Sequence, residues 1–398
     1  MAQKNWHRSL AFVVFFVCLK LLFSVLIKDD QEDVASPFKF IYYWSDIPIF
    51  LFIFLYFLTS IRRMSQRVFI RILKLLLIIV FLIGLAMFTS LSKGISLNTV
   101  LTSQLKLFLP IFLLIVFNVY PSGTKPSKAV YWMISLVFVI SLYAYFFLEP
   151  SRNRDAFFWP IYFSGLHTHA YCVFGSFLML HAHAVLHGKN VKTSWFLVLL
   201  FLLILGYGYG VRTSLFCLIG YVLVISYEKG VLAHIQKPMV KFFLAMIIII
   251  SGVLFVDEFN LLSLDGFSSG RLSEYLSRID LIKNRGWLEN AFGSGAGYDL
   301  MYSDTWWWEE KGSHNDYLTI LIEFGLVYLM VFVFFLWRLF HVIRANHFTT
   351  AIFVAYLLSS FLSNGYMFRP MAAYVLFLSL ININVLFDVR TVLTPERV

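Results

Sequence analysis

The sequence predicts an all-α integral membrane protein with about twelve transmembrane helices, and three observations carry that prediction. The chain is 60% hydrophobic and only 14% charged, against roughly half apolar and a quarter charged in soluble domains. Its apolar residues gather in runs of roughly 17–25, the length that crosses a hydrocarbon core. Its basic residues fall between those runs in short clusters, the pattern that sets orientation. A soluble chain of 398 residues could not cover so much apolar surface, so the bilayer is the solvent and counting domains by length does not apply. The net charge of +10 raises nucleic acid as a partner. That would need a contiguous basic face, and none is present, so the expected partner is membrane lipid.

Each element follows in chain order. Lys4 and Arg8 precede an apolar stretch from Leu10 to Ile27. It is longer than a signal-peptide core and lacks a small-residue cleavage site, so it reads as a retained signal anchor. The apolar runs are 9–27, 45–61, 69–89, 99–118, 129–148, 164–186, 194–209, 212–227, 241–256, 316–337, 349–363 and 370–387. With both termini cytoplasmic, the inside segments hold seventeen basic residues, including Arg62, Arg63, Arg67 and Arg71, and the short outside loops hold seven. The positive-inside rule favours this orientation. Residues 1–398 form a single polytopic membrane domain, and 257–315 is a large outer loop inserted between predicted helices 9 and 10. A loop of that length is often functional. Cys18, Cys172 and Cys217 lie inside apolar runs, so no disulfide framework is expected.

Candidate chemistry concentrates near that loop. Arg212 sits at an outer tip between two spans, with glycines before it and Thr213 and Ser214 after it. An ionisable residue at such a depth is costly and often retained for function; the plainer reading is an Arg that snorkels to lipid phosphates. Arg271, Arg278 and Arg285 are seven residues apart, so they would project from one face of a helix. Leu272, Leu276, Ile279 and Ile282 would form its apolar stripe, giving an amphipathic helix near the membrane surface. The plainer reading is a solvated basic face on which Glu274 pairs with Arg278. Arg271 opens the helix, where free backbone N–H groups also favour anions. The run from Gly293 to Gly297 reads as a flexible turn without a phosphate-loop pattern.

The segment Gly312-Ser313-His314-Asn315-Asp316-Tyr317-Leu318 closes the loop and opens a span. An imidazole at that boundary can take a proton near neutral pH. Ser313 or Asn315 can instead simply cap the helix. Arg369, at an outer tip before Pro370, is a further anion-binding candidate. Glu323, about half a turn off the His314 face, reads as a structural residue pairing within the bundle. Lys20, Lys74 and Lys106 read as lysines that snorkel to the nearer interface. No Cys/His/carboxylate spacing resembles a zinc site, so no metal and no cofactor is expected.

Taken in order, these residues resemble the O-antigen ligase and O-antigen polymerase superfamily. Ser313-His314-Asn315-Asp316-Tyr317-Leu318 followed by Glu323-Phe324-Gly325-Leu326 looks like its signature, as do Val211-Arg212-Thr213-Ser214-Leu215 and an Arg271 that opens a loop helix before a Gly-rich turn. The resemblance implies a multi-pass protein of the bacterial inner membrane, a metal-independent, inverting, membrane-embedded C-type glycosyltransferase with its active site facing the periplasm. Its donor would be a glycan on undecaprenyl pyrophosphate. Arg212 and Arg271 would bind the pyrophosphate and His314 would serve as the base. The favoured reading is an O-antigen ligase acting on lipid A-core in lipopolysaccharide biosynthesis. The alternative is a polymerase joining lipid-linked repeat units, whose acceptor is a second lipid-linked glycan. A transporter of lipid-linked sugars is more remote, because neither inverted repeats nor midplane polar clusters stand out.

Overall fold

The computed structural model describes residues 2–26, 42, 44–147, 167–186, 191–205, 212–228, 271–302, 312–363 and 365–393. Among them there is no β-strand. The helices are α1 (Ala2–Leu26), α2 (Asp46–Ile61), α3 (Gln66–Ser92), α4 (Leu97–Phe117), α5 (Lys128–Phe147), α6 (His167–Leu186), α7 (Val191–Leu203), α8 (Arg212–Glu228), α9 (Arg271–Asn284), α10 (Trp287–Phe292), α11 (Asp316–Ile343), α12 (His347–Leu362) and α13 (Pro370–Leu393). Six of them, α1, α3, α4, α6, α11 and α13, are long and apolar enough to cross a membrane; α2, α5, α8 and α12 are apolar but shorter. Eleven of the predicted apolar runs lie on these helices. The ninth, 241–256, lies outside the described residues, as do 257–270 and 303–311 of the predicted loop.

Helix starts follow local chemistry. Ser65 and Ser96 adopt extended backbone and accept hydrogen bonds from Val68 N and Thr99 N, capping α3 and α4. Asn346 does the same for α12. Such caps satisfy N–H groups that a helix leaves free.

α13 is the hub of the bundle. It packs against α1, α4, α5, α6 and α12, and 89% of its apolar window is buried against 22% for α3. Both helices are apolar, so what separates them is what they face. α13 faces protein, whereas α3 leaves Leu77, Val80, Phe81 and Phe88 uncovered. An apolar belt of that kind requires a non-aqueous surrounding.

Buried polar contacts collect at two opposite ends. At one end Trp6 Nε1 donates to Phe117 O, Ser127 N to Asn382 Oδ1, and Asn346 Nδ2 to Asn384 Oδ1. At the other lie the Ser313–Asn315 segment and the start of α13. Lys20 departs from expectation. It does not snorkel: it is 1% exposed, 2.6 Å from Asp46, and donates to Tyr42 O. Tyr374 on the hub helix donates to the other Asp46 oxygen. A buried ammonium is retained only when paired, and Asp46 at the head of α2 supplies the partner.

α11 is two helical pieces joined at Gly325, whose φ of 82° and ψ of 176° interrupt the helix. The break frees the carbonyls of Ile322 and Glu323, which accept from Ser294 N and Gly295 N. Ala296 N donates to Ser90 Oγ on α3. The Gly293–Gly297 run is therefore not a flexible turn. It is a buried backbone dock, and a Cβ on Gly293 or Gly325 would collide with the backbone of the other segment.

Candidate functional site

The site is built where the loop meets α11. Asn315 takes extended backbone, and its Oδ1 accepts from Tyr317 N and Leu318 N, capping α11. Its Nδ2 donates to Phe361 O, tying the cap to the end of α12. Ser313 does not cap. Its N–H and Oγ both donate to Asp299 Oδ2, at 2.8 and 3.0 Å, and Thr319 Oγ1 donates to the same oxygen at 2.6 Å. Arg278 Nε donates to Asp299 Oδ1 at 3.2 Å.

His314 lies between these fixed neighbours. It is the one non-glycine residue with positive φ among the described residues, at 54°, a left-handed conformation that costs an L-residue roughly 1–2 kcal/mol. The residue is half-buried, and the His314 carbonyl accepts from Tyr275 Oη at 3.3 Å. Tyr275 stands one turn along α9 from Arg271, so the head of that helix lies beside His314.

Arg369 approaches from α13. Its Nη1 donates to Thr168 Oγ1 at 3.1 Å, and its guanidinium lies 5.1 Å from the centre of the Tyr171 ring. Asp316, fully buried, accepts from Gly365 N at 3.0 Å, which fixes the turn before Arg369. Ser360 and the Met367 backbone also lie against this carboxylate, and the Arg369 charge reaches it. α8 begins at Arg212, and Thr213, the next residue, flanks the Tyr171 hydroxyl together with Ser363. Tyr366 Oη closes the group by donating to Tyr171 O.

The heads of α8 and α9, His314 and Arg369 thus lie at one end of the bundle, linked through Tyr171, Asp316 and Tyr275. The side chains of Arg212 and Arg271 lie outside the described residues. Two expectations are corrected. The three loop arginines do not share a free face: Arg278 is 1% exposed and held between Asp299 and Glu274. Arg285 falls beyond the last residue of α9 and donates to Ile322 O, stacked over Tyr298. The face of α9 turned outward is mixed, with Leu276 and Ile279 exposed beside Asp280 and Lys283. The Glu274–Arg278 pair exists, but it is buried rather than solvated. Glu323 pairs within the bundle, its carboxylate accepting from the N–H groups of Gly297 and Asp299.

Sequence reasoning passed over Asp299, Thr319 and Tyr275. Asp299 had one signal, as the acidic residue that closely follows the glycine-rich run. Among the described residues no three His, Cys, Asp or Glu side chains gather as a metal site would require.

The fold and the apolar helices define an α-helical membrane protein with a polar cluster at one end of its bundle. Compared with models of known families and with curated proteins, the chain has no match.

Proposed function

We propose that the chain is a membrane-embedded glycosyltransferase that moves a glycan from undecaprenyl pyrophosphate to a sugar hydroxyl. The observation that carries this reading is the convergence of His314, Arg369 and the heads of α8 and α9 at one bundle end. In this reading the chain crosses the membrane about twelve times, both termini are cytoplasmic and the 257–315 loop faces the periplasm of a bacterial inner membrane. The acceptor hydroxyl attacks the anomeric carbon, the bond to the pyrophosphate oxygen breaks, and His314 takes the hydroxyl proton. The departing pyrophosphate gathers negative charge, which the guanidinium forks of Arg212, Arg271 and Arg369 meet. The polyprenyl tail stays in the lipid against the apolar belt. The favoured acceptor is lipid A-core, which makes the enzyme an O-antigen ligase.

The deciding experiment incubates purified protein with undecaprenyl-pyrophosphate-linked glycan and each acceptor in turn, then analyses the products. Glycan on lipid A-core supports the ligase, and longer lipid-linked chains support the polymerase. Movement of donor between leaflets with no new glycosidic bond sinks the enzyme reading in favour of a transporter. Arg212→Lys and Arg271→Lys should both lose most transfer, because lysine cannot make the bidentate fork. Labelling of a cysteine placed at Ser268 only from the cytoplasm would overturn the orientation.

A further inference from the structure

Asp299 lies outside the motif that ends the loop, yet its carboxylate is the most heavily hydrogen-bonded group beside it. It is 1% exposed. One oxygen takes three donors, Ser313 N, Ser313 Oγ and Thr319 Oγ1, and the other takes Arg278 Nε. Gly312 lets it approach: a Cβ there would stand 3.0 Å from Asp299 Oδ2. Arg278 also donates to the Asp299 carbonyl at 3.2 Å and lies 3.4 Å from Glu274. The carboxylate is thus braced by α9 on one side and grips both flanks of His314 on the other, at Ser313 and at the first turn of α11. A peptide held at positive φ with a full side chain needs such bracing, because its own preference is to relax.

We infer that Asp299 is the positioning residue that holds the His314 backbone in its left-handed conformation and so aims the imidazole at the acceptor hydroxyl. This rests on the proposed role of His314 as the base. Asp299 itself touches no substrate. It acts through a rigid peptide, as outer-shell carboxylates do for the ligands they orient.

The test compares steady-state and single-turnover transfer in bilayer discs, with an undecaprenyl-pyrophosphate-linked disaccharide as donor, per molecule of folded protein. Asp299→Asn should lower kcat by about tenfold to a hundredfold while donor KM stays within about threefold of wild type, the split expected when binding is intact and the reacting group is misplaced. Thr319→Val and Ser313→Ala each remove one bond to Asp299 and should give smaller losses of the same kind. In a His314→Ala background, Asp299→Asn should add nothing, because residues that act as a unit are not additive. Wild-type kcat in Asp299→Asn, or losses that multiply in the double variant, would overturn the inference. If Asp299→Asn does not fold, wild-type kcat in both single-bond variants overturns it instead. Full transfer by His314→Ala sinks the base assignment itself, whereas loss in His314→Ala with none in Asp299→Asn sinks only the positioning role.

Discussion

At the end of the bundle that holds Asn384, the buried asparagines satisfy one another. Asn384 accepts from Asn346 and Thr349 and donates to Asn118, while Asn382 exchanges two bonds with the Ser127 backbone. At the His314 end the backbone is less settled. His169 is fully buried with neither ring nitrogen bonded, and His314 carries a strained backbone. A region selected for stability alone would relax that strain. A strained non-glycine backbone at one end, with none among the described residues at the other, marks where stability has been given up. The difference separates a fastening from a candidate site within one hydrophobic bundle.

The largest expected effect divides the two ends directly. His314→Gly relieves the positive φ, so the protein should gain about 0.5–1 kcal/mol of stability. Transfer should fall by about 10²–10⁴-fold, the usual worth of a general base. Asn384→Ala should do the reverse. It removes the partner of Asn346 Nδ2 and of Asn118 Oδ1 and leaves Thr349 Oγ1 only Asn346 Oδ1 at 3.5 Å, so it should cost about 1–3 kcal/mol, with turnover per folded molecule unchanged. Thermal unfolding and single-turnover transfer on the same preparations check both. If His314→Gly lowers stability and keeps transfer, the two ends are alike and the strain has no functional meaning.

Much of this was legible in the sequence, and the reasons differ by element. Helices α1 to α8 and α11 to α13 announce themselves because lipid demands long uninterrupted apolar runs. The Asn315 cap was legible because capping is local chemistry. The closing residues of the loop were legible as a short ordered motif. What stayed hidden depends on contacts between distant segments. Seven-residue spacing gave Arg278 and Arg285 a common face, but the helix stops at Asn284 and Asp299 draws Arg278 inward. Composition made Gly293–Gly297 look flexible, whereas the carbonyls released at Gly325 bind it. Lys20 looked isolated because Asp46 is distant in sequence, and only the packing of α1 on α2 brings them together.

The dock between the glycine run and α11 is the next place to press on the comparison. At Gly325 a side chain would require φ near 82° and would meet Ala291 O and the Gly293 backbone. Strain and overlap together predict that Gly325→Ala costs about 2–6 kcal/mol. Gly94 has a similar φ of 76° but open space around it, so Gly94→Ala should cost only about 1–2 kcal/mol. Urea or thermal melts of the two variants separate conformational strain from collision. Equal losses would mean that the loop is not held by this dock.

The smallest expected effect comes from the ion pair at the rim of the same end. Lys93 Nζ lies 2.9 Å from Glu289 Oε1, joining the end of α3 to α10, and both side chains are about two-fifths exposed, at 43% and 41%. The hydrogen bond and charge of Lys93 hold the Glu289 carboxyl below its ordinary value of 4.5. A depressed carboxylate stabilises the fold above its unfolded pKa, and that contribution fades as pH falls through the folded value. Solvent and salt screen an exposed pair, which is worth roughly 0–1 kcal/mol. Glu289→Gln should therefore melt slightly below wild type at neutral pH, with the gap closing below pH 4.5 and at high salt. Transfer should be nearly unchanged, because Ser294 and Gly295 still fasten the loop to α11 through backbone bonds. A loss in Glu289→Gln as large as that of Gly325→Ala would make the rim pair, rather than the glycine dock, the fastening that holds His314 in place.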